Sequence, residues 1–199
     1  MATAAFALVS YLIGSLPFAV IVSKALGLPD PRSYGSGNPG ATNVLRTGRK
    51  LAALLTLLGD GGKGWLAVLL ASRFGVDPTG VAACALAVFL GHLFPVFLRF
   101  KGGKGVATAA GVLFALDPWL GAAGAAAWLV VALATRYASL ASIVAGVLAP
   151  ACAFFMSVPA SAVLALALIG ALIVWRHKGN ILNLAAGRER RIGEKEAQG

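Results

Sequence analysis

The sequence predicts an all-α integral membrane protein with seven transmembrane helices, an external N-terminus and a cytoplasmic C-terminus. Hydrophobic residues make up 59% of its 199 residues and charged residues only 12%, and the mean hydropathy is +0.85. A soluble domain has about 45–50% apolar and about 25% charged residues. The apolar residues form helix-length segments and the cations lie between them. At this length we expect a single domain over 1–199.

The N-terminal segment opens the series of predicted spans. It is apolar but has no Lys or Arg before its hydrophobic stretch, which a cleaved signal peptide requires, so we expect it to remain as a span. About 20 apolar residues are needed to cross a bilayer. The seven predicted spans are Ala4–Leu26, Leu51–Ser72, Gly80–Leu98, Val106–Leu116, Trp119–Thr135, Ser142–Met156 and Ala160–Trp175.

Two of these spans depart from a regular crossing. Pro95 predicts a kink near the end of the third span. The fourth, Val106–Leu116, is too short to cross alone and meets a break at Asp117-Pro118. Both cysteines, Cys84 and Cys152, lie inside apolar runs without metal-ligand spacing, which predicts packing residues.

The cations give the predicted orientation. Those that follow the first, third, fifth and seventh spans are Arg32, Arg46, Arg49, Lys50, Arg99, Lys101, Lys104, Arg136, Arg176, Lys178, Arg188, Arg190, Arg191 and Lys195. The other loops carry only Arg73, with Asp77 and Asp117. Cytoplasmic loops hold the excess of Lys and Arg, so an odd number of spans with the N-terminus outside fits. This placement explains the net charge of +10 better than nucleic-acid binding does.

The first predicted cytoplasmic loop, DPRSYGSGNPGATNVLRTGRK at 30–50, is the richest polar segment. Gly, Ser, Asn and Pro build tight, irregular backbone, although a plain linker uses them too. Its concentration of Asn, Ser, Thr and Arg side chains exceeds what a linker needs. The composition therefore favours an ordered binding loop.

The second loop, FKGGKGVATAAG at 100–111, leads glycines into the start of an apolar helix. Successive backbone N–H groups there can form an anion nest, and the helix N-terminus adds positive potential. Lys101 and Lys104 supply charge, and Thr108 supplies a hydroxyl. The GxxxxGK[ST] spacing of a P-loop is absent. A tight turn with positive-inside lysines is the alternative interpretation.

The tail and the loop after the fifth span add further polar residues on the same side. His177 and Asn180 are three positions apart and share a helix face, and Glu189 follows. The stretch RYASLAS contributes Ser139 and Ser142.

A second GGKG tetrapeptide lies within the second span, in DGGKG at 60–64. At about 1.5 Å per residue, Asp60 and Lys63 fall near the bilayer midplane on one helix face. Charges at that depth are costly and usually face a partner inside the bundle. We expect a buried ion pair here and a phosphate-binding segment at the other copy.

These segments together favour a phosphate-bearing substrate with a hydrophobic tail. Acidic residues are too scarce for Mg²⁺-dependent phosphoryl transfer, so we expect no metal and no other cofactor. A transporter or channel for a phosphorylated metabolite would use the same basic loops, but it predicts paired inverted segments that the sequence does not show. A structural membrane protein would leave the polar loops unexplained.

Three segments resemble the signature motifs of the PlsY family of bacterial acyl-phosphate:glycerol-3-phosphate acyltransferases. They are GSGNPGATN at 35–43, GHLFPVFLRFKGGKGVAT at 91–108 and RHKGNILNLAAGRE at 176–189, and DGGKG and RYASLAS also match. The resemblance implies a seven-helix protein of the bacterial inner membrane with a cytoplasmic-facing site. It implies acyl transfer from acyl phosphate to the 1-hydroxyl of glycerol 3-phosphate, the first acylation of phospholipid synthesis. A soluble PlsX-type enzyme would supply the acyl phosphate.

The resemblance also implies residue roles. The catalytic residues would be Lys104, His177 and Asn180. The residues that bind substrate or phosphate would be Ser36, Asn38, Asn43, Arg46 or Arg49, Gly102, Gly103, Gly105, Thr108, Ser142 and Glu189. The tail departs from the family pattern at Asn183 and Arg188. Since cations surround His177, we favour the departing phosphate over His177 as proton acceptor, with His177 orienting a phosphate.

Overall fold

Helices form all the regular secondary structure of residues 2–194, the part of the chain that the computed structural model describes. The tail cation Lys195 lies outside the described residues. A short 3₁₀ turn, Val96–Leu98, lies between α5 and α6. The helices are α1 Ala2–Gly14, α2 Phe18–Ala25, α3 Ala41–Leu45, α4 Lys50–Arg73, α5 Pro78–Leu93, α6 Val106–Leu116, α7 Pro118–Thr135, α8 Ala138–Phe155, α9 Ala160–Arg176 and α10 Lys178–Ala185.

Each predicted span coincides with a helix or a broken helix. Among the described residues, five helical stretches are long and apolar enough to cross a membrane, and α9 with α10 makes a sixth if this pair, bent by 57°, is one span. The first stretch runs from Ala2 to Ala25 and is interrupted at Ser15–Pro17 between α1 and α2. The predicted break before α7 is confirmed, because Asp117 caps this helix and Pro118 begins it.

Helix α6 is short because it begins partway along its neighbour. The Thr108 hydroxyl, in its first turn, donates to the carbonyl of Asp60 at 3.0 Å. Asp60 lies ten residues into α4, about 15 Å from its Lys50 end. Gly111 of α6 packs directly on the Gly61 backbone, so the two helices touch closely. In the segment that precedes α6, Gly102, Gly103 and Gly105 are buried in the bundle, whereas Val96, Phe97 and Lys101 are exposed.

The predicted pair of Asp60 and Lys63 is confirmed. Lys63 Nζ lies 2.8 Å from Asp60 Oδ1, with the two side chains 2% and 4% exposed. The same ammonium donates to the carbonyl of Leu16 at 2.9 Å, at the break between α1 and α2. His92 Nδ1 lies 3.4 Å from the same Asp60 oxygen. Removing one partner of such a buried pair costs about 3–5 kcal/mol, so this cluster fastens α4 to α1, α2 and α5.

Helix α5 occupies the centre of the bundle. Val88, Phe89 and Leu93 are fully buried in a core cluster shared with α4, α6, α8 and α9. Cys84 is buried in this cluster and Cys152 packs against it, which confirms both as packing residues. Large apolar side chains such as Leu133 and Phe155 cover the outer faces, as expected for helices in contact with lipid.

Candidate active site

The glycine segment between α5 and α6 is held through its backbone. Gly102 N–H donates to the Leu93 carbonyl at 3.1 Å, and Gly103 N–H donates to the His92 carbonyl at 3.2 Å. Arg176 at the end of α9 donates to the two glycine carbonyls, through Nη2 to Gly102 at 2.7 Å and through Nε to Gly103 at 3.1 Å. The N–H and the carbonyl of both glycines therefore have hydrogen-bond partners within the protein.

The backbone amides that follow have a different environment. Gly105 adopts φ +82°, and α6 begins at Val106 without a side-chain cap. The first N–H groups of a helix have no partner inside the helix. Lys104, Gly105, Val106 and Ala107 all line the large cleft described below. The candidate anion-binding amides are thus those that follow Gly103.

Lys104 begins a chain of hydrogen bonds across three other elements. Its Nζ donates to Asn180 Oδ1 of α10 at 2.5 Å, and Asn180 Nδ2 donates to Glu189 Oε1 at 2.7 Å. Ser139 Oγ of α8 donates to the same carboxylate oxygen at 2.6 Å. Glu189 accepts from the amide nitrogen of Asn180, so the amide oxygen must face Lys104.

The charge of Lys104 is finely balanced. Burial lowers the pKa of Lys104 to about 8, Glu189 acts in the opposite direction, and the charges of Arg176 and Arg46 lower it further. The ammonium is therefore protonated at neutral pH and loses its proton in mildly alkaline solution. A bound phosphate would hold the proton in place, because an opposite charge favours the charged form.

His177 lies at the joint between α9 and α10, beyond the end of α9, and is 2% exposed. Its Nδ1 lies 2.8 Å from the Ile173 carbonyl oxygen. A carbonyl only accepts, so Nδ1 carries the hydrogen and Nε2 of the neutral ring has a free lone pair. Burial, followed by the charge of Lys104, lowers the pKa of His177 to about 4. At neutral pH Nε2 is thus an acceptor, not a donor.

The first loop is built around Asn43, which is 1% exposed. Asn43 Oδ1 accepts from Ser36 N–H at 3.0 Å, and its Nδ2 donates to the carbonyls of Pro31 at 2.7 Å and Tyr34 at 3.2 Å. Gly35 has φ +59°, and a Cβ there would overlap Asn43 and Arg46. The loop is ordered, as predicted, and the Asn43 side chain holds it together.

An open cleft of about 1180 Å³ joins these elements. Residues of all four predicted polar segments line one end, namely Ser36, Asn38, Asn43, Arg46, Lys104, Gly105, Ser139, Ser142, His177, Asn180 and Glu189, and Asp60 and His92 also line the cleft. The other end is apolar and is lined by Leu113, Gly124, Ala149, Leu166 and Ile169 among others. Leu58 and Leu129, exposed on outer helix faces, also line the cleft, so it reaches the apolar outer surface of the bundle.

Four of the predicted residues lie elsewhere among the described residues. Gly102 and Gly103 face a small hollow behind the glycine segment, beside Asp60. Thr108 is fully buried against α4, and Arg49 sits at the start of α4 outside the cleft lining. None of these four described residues lines the cleft.

Two further residues hold parts of the predicted site by hydrogen bonds and are not among the predicted site residues. The sequence predicts Arg176 only as one of the cytoplasmic cations, although it directly precedes His177 in the motif RHKGN. Trp128 of α7 donates through Nε1 to Ser142 Oγ at 3.0 Å, and the Ser142 hydroxyl donates to the Ala138 carbonyl at 2.7 Å. Nothing in the sequence around Trp128 singles it out among the four tryptophans.

The family model and the curated relatives that match this chain carry the same description. A family model described as glycerol-3-phosphate acyltransferase matches residues 4–187. Curated proteins of that name from Ralstonia pickettii and Chromobacterium violaceum are each 60% identical to this chain. The two alignments cover 98% and 96% of this chain and 97% and 95% of the relatives.

Two crystal structures of PlsY (YgiH), described as an integral membrane glycerol 3-phosphate acyltransferase, share the fold. The glycerol 3-phosphate form aligns with a TM-score of 0.92 at 42% identity, and the lysophosphatidic acid form with 0.90 at 41%. Each alignment covers 97% of this chain and 96% of the solved chain.

The hydrogen-bond chain predicts that Glu189 sets the titration of Lys104. Glu189→Gln keeps an acceptor but removes the charge that raises the pKa of Lys104, so this pKa should fall below about 8. NMR titration of the protein with ¹³C-methylated lysines measures the shift. Glu194→Gln is the matched control, because Glu194 accepts from Arg191 N–H in the same tail and is exposed. An unchanged Lys104 titration in Glu189→Gln would contradict this account.

Proposed function

The chain belongs to the glycerol-3-phosphate acyltransferase family, and on that premise we propose that it transfers a fatty acyl group from acyl phosphate to the 1-hydroxyl of glycerol 3-phosphate. The products are lysophosphatidic acid and phosphate. The observation that carries the proposal is the cleft, whose cationic, amide-lined end continues into an apolar end. Such a cleft fits a donor with a phosphate head and a hydrocarbon chain, and the relatives' names and bound forms supply the acceptor.

The phosphate of the donor is proposed to bind where α6 begins. The amides from Lys104 to Ala107 offer donors, the helix N-terminus adds positive potential, and Lys104 adds a charge. The acyl carbonyl then lies beside the Lys104 ammonium, and the hydrocarbon chain extends along the apolar end of the cleft. Gly102 and Gly103 take part by fixing the direction of these amides.

Glycerol 3-phosphate is proposed to bind on the side of the first loop. Arg46, Ser36 and Asn38 face the cleft there, and Arg46 is close enough to lower the pKa of Lys104. An Arg forks well onto phosphate oxygens. His177 presents only an acceptor at neutral pH, so it is proposed to accept from a glycerol hydroxyl instead of orienting a phosphate.

The proton is proposed to leave with the phosphate. The 1-hydroxyl oxygen attacks the acyl carbon, the bond from that carbon to the phosphate oxygen breaks, and the electron pair leaves on the phosphate. The hydroxyl proton passes to a phosphate oxygen, giving hydrogen phosphate. A phosphate with a pKa of about 6 is a better proton acceptor than His177, whose pKa is about 4. Lys104 and the α6 amides stabilise the leaving charge.

The membrane arrangement belongs to the same proposal. We propose one domain over the whole chain, with seven crossings by α1–α2, α4, α5, α6, α7, α8 and α9, and with the N-terminus outside. The lining segments then all lie on the cytoplasmic side of a bacterial inner membrane, where cationic loops accumulate. A soluble PlsX-type enzyme is the proposed source of acyl phosphate, which would reach the site from the membrane surface.

The enzyme in detergent micelles should convert acyl phosphate and glycerol 3-phosphate to lysophosphatidic acid. Lys104→Ala should lower turnover by about 100-fold or more, because it removes the positive charge that stabilises both substrate phosphates. Lys101→Ala is the matched control, since Lys101 is exposed in the same loop and outside the cleft lining. No lysophosphatidic acid from the unaltered protein would overturn the proposed function and favour a transporter.

His177→Asn separates the two proton acceptors. The Asn amide can still donate to Ile173, so we expect a loss of about tenfold from the missing hydroxyl contact, whereas loss of a general base costs about 10²–10⁴-fold. kcat/KM should fall as pH rises through about 8 in both proteins, because Lys104 loses its proton there. Abolished turnover with both substrates still bound would assign the base to His177.

The apolar end of the cleft should limit acyl length. Ala149 lies seven residues beyond Ser142 on α8, about 10 Å along the helix. Ala149→Leu should lower kcat/KM for palmitoyl phosphate about tenfold relative to octanoyl phosphate, because it fills the space for the distal chain. Val147→Leu, on the lipid-exposed face of α8, is the control. Equal losses for both donors would place the chain elsewhere.

The orientation can be tested by cysteine labelling in intact cells, with both native cysteines replaced. Phe74→Cys, in the exposed turn after α4, should react with a membrane-impermeant maleimide from outside. Arg191→Cys, in the tail, should react only after the membrane is permeabilised. The reverse pattern would invert the proposed topology.

A further inference from the structure

His92 lies between the buried ion pair and the glycine segment. Its side chain is 7% exposed, and Nδ1 lies 3.4 Å from Asp60 Oδ1. Its carbonyl accepts from Gly103 N–H. The far edge of its imidazole covers the Gly103 Cα, so a methyl group at Gly103 would overlap Nε2. One residue thus contacts this glycine through both its backbone and its ring.

Gly103 is the last residue of the glycine segment whose N–H and carbonyl are both bonded within the protein. The next residue is Lys104, and Gly105 then turns the chain through φ +82° into α6. The direction of the Lys104 side chain and of the α6 amides therefore depends on where the Gly103 peptide lies. Arg176 donates to the Gly103 carbonyl. His92 accepts from the Gly103 N–H through its own carbonyl, and its ring packs on the Gly103 Cα.

His92 lines the cleft together with Asp60, and its ring is fixed by the buried ion pair of α4. The Asp60 carboxylate faces its Nδ1 and is in turn held by Lys63 at 2.8 Å. Asp60 also accepts through its carbonyl from Thr108 in the first turn of α6. The same aspartate therefore fixes the ring that sets Gly103 and the helix into which the glycine segment leads.

We infer that His92 is a positioning residue for the acyltransfer reaction. Its ring fits against Gly103 and so fixes the position of the glycine segment. Lys104 and the α6 amides are thereby placed to contact the donor phosphate. The inference rests on the proposed function, because turnover is one of its measurements. The two GGKG copies of the sequence then act together. The ion pair within DGGKG at 60–64 supports, through His92, the phosphate-binding segment at 102–105.

A compensating pair of substitutions tests the fit. Gly103→Ala should lower kcat/KM about 100-fold through misplacement of Lys104, mainly by raising KM for acyl phosphate and leaving KM for glycerol 3-phosphate unchanged. His92→Asn keeps an N–H near Asp60 but lacks the ring atoms that cover Gly103. In the double variant the added methyl has room, so kcat/KM should recover about tenfold over Gly103→Ala alone.

Gly102→Ala is the matched control for the recovery. A methyl there would overlap the carbonyls of His92 and Leu93 and the ring of Pro95, none of which changes in His92→Asn. His92→Asn should therefore give Gly102→Ala no recovery. Unfolding transitions of each purified variant in detergent show whether a loss reflects misfolding.

Three results would overturn the inference while the unaltered enzyme remains active. The first is no recovery in the Gly103→Ala and His92→Asn double variant. The second is equal recovery of Gly102→Ala, which would mean general loosening. The third is a folded His92→Asn variant without activity, which would place His92 on the substrate itself. Inactivity of the unaltered protein would instead refute the proposed function.

Discussion

An irregular stretch of backbone inside an apolar helical bundle needs hydrogen-bond partners within the protein unless it faces a cavity that water or a ligand can enter. Each unsatisfied N–H or carbonyl at that depth costs several kcal/mol. The glycine segment meets this constraint through carbonyls at the end of α5 and through the guanidinium of Arg176. An arginine suits the task because its fork reaches two neighbouring carbonyls at once. This clamp allows α6 to begin partway along α4 and leaves its first amides facing the cleft.

The electrostatics of the site follow from the same arrangement. The clamp places the Arg176 guanidinium near Lys104, and it contributes to the lowered pKa of Lys104 and of His177. Glu189 offsets part of this excess of positive charge and fixes the Asn180 amide. Because Glu189 offsets only part of the positive charge around Lys104, an anion bound there would stabilise the protonated ammonium. The phosphates of the proposed substrates would therefore make substrate binding and the protonation of Lys104 mutually supportive.

Much of the fold could be predicted because its signals are local. Runs of apolar residues located the helices, Asp117-Pro118 located a helix start, and the three-residue spacing of Asp60 and Lys63 identified their pairing. The family resemblance is likewise confirmed by matches over nearly the whole chain. The availability of the glycine amides could not be predicted in this way. It depends on carbonyls of His92 and Leu93 and on Arg176, which is more than 70 positions away in the chain.

The residue types of the first loop could be predicted to be polar and ordered, but not which side chains hold the loop together and which are exposed in the cleft. Asn43 and Ser36 both line the cleft and look equivalent in GSGNPGATN, yet the Asn43 side chain is buried and holds the loop whereas Ser36 is exposed. Burial of a short polar side chain in a loop depends on which backbone carbonyls the loop brings around it. Pro31 and Tyr34 supply them here, and no spacing rule foretells that.

The cleft reaches the apolar outer surface at Leu58 and Leu129, and an opening to the lipid there affects how the reaction rate depends on concentration. An amphiphile that enters through this opening diffuses in two dimensions, so its effective concentration is its mole fraction in the surrounding lipid. A water-soluble acceptor arrives from bulk solution and obeys ordinary volume concentration. Adding inert lipid at constant total amounts would therefore slow the reaction by diluting one reactant and not the other. The cell can accordingly adjust the flux through such a site by the lipid composition near it.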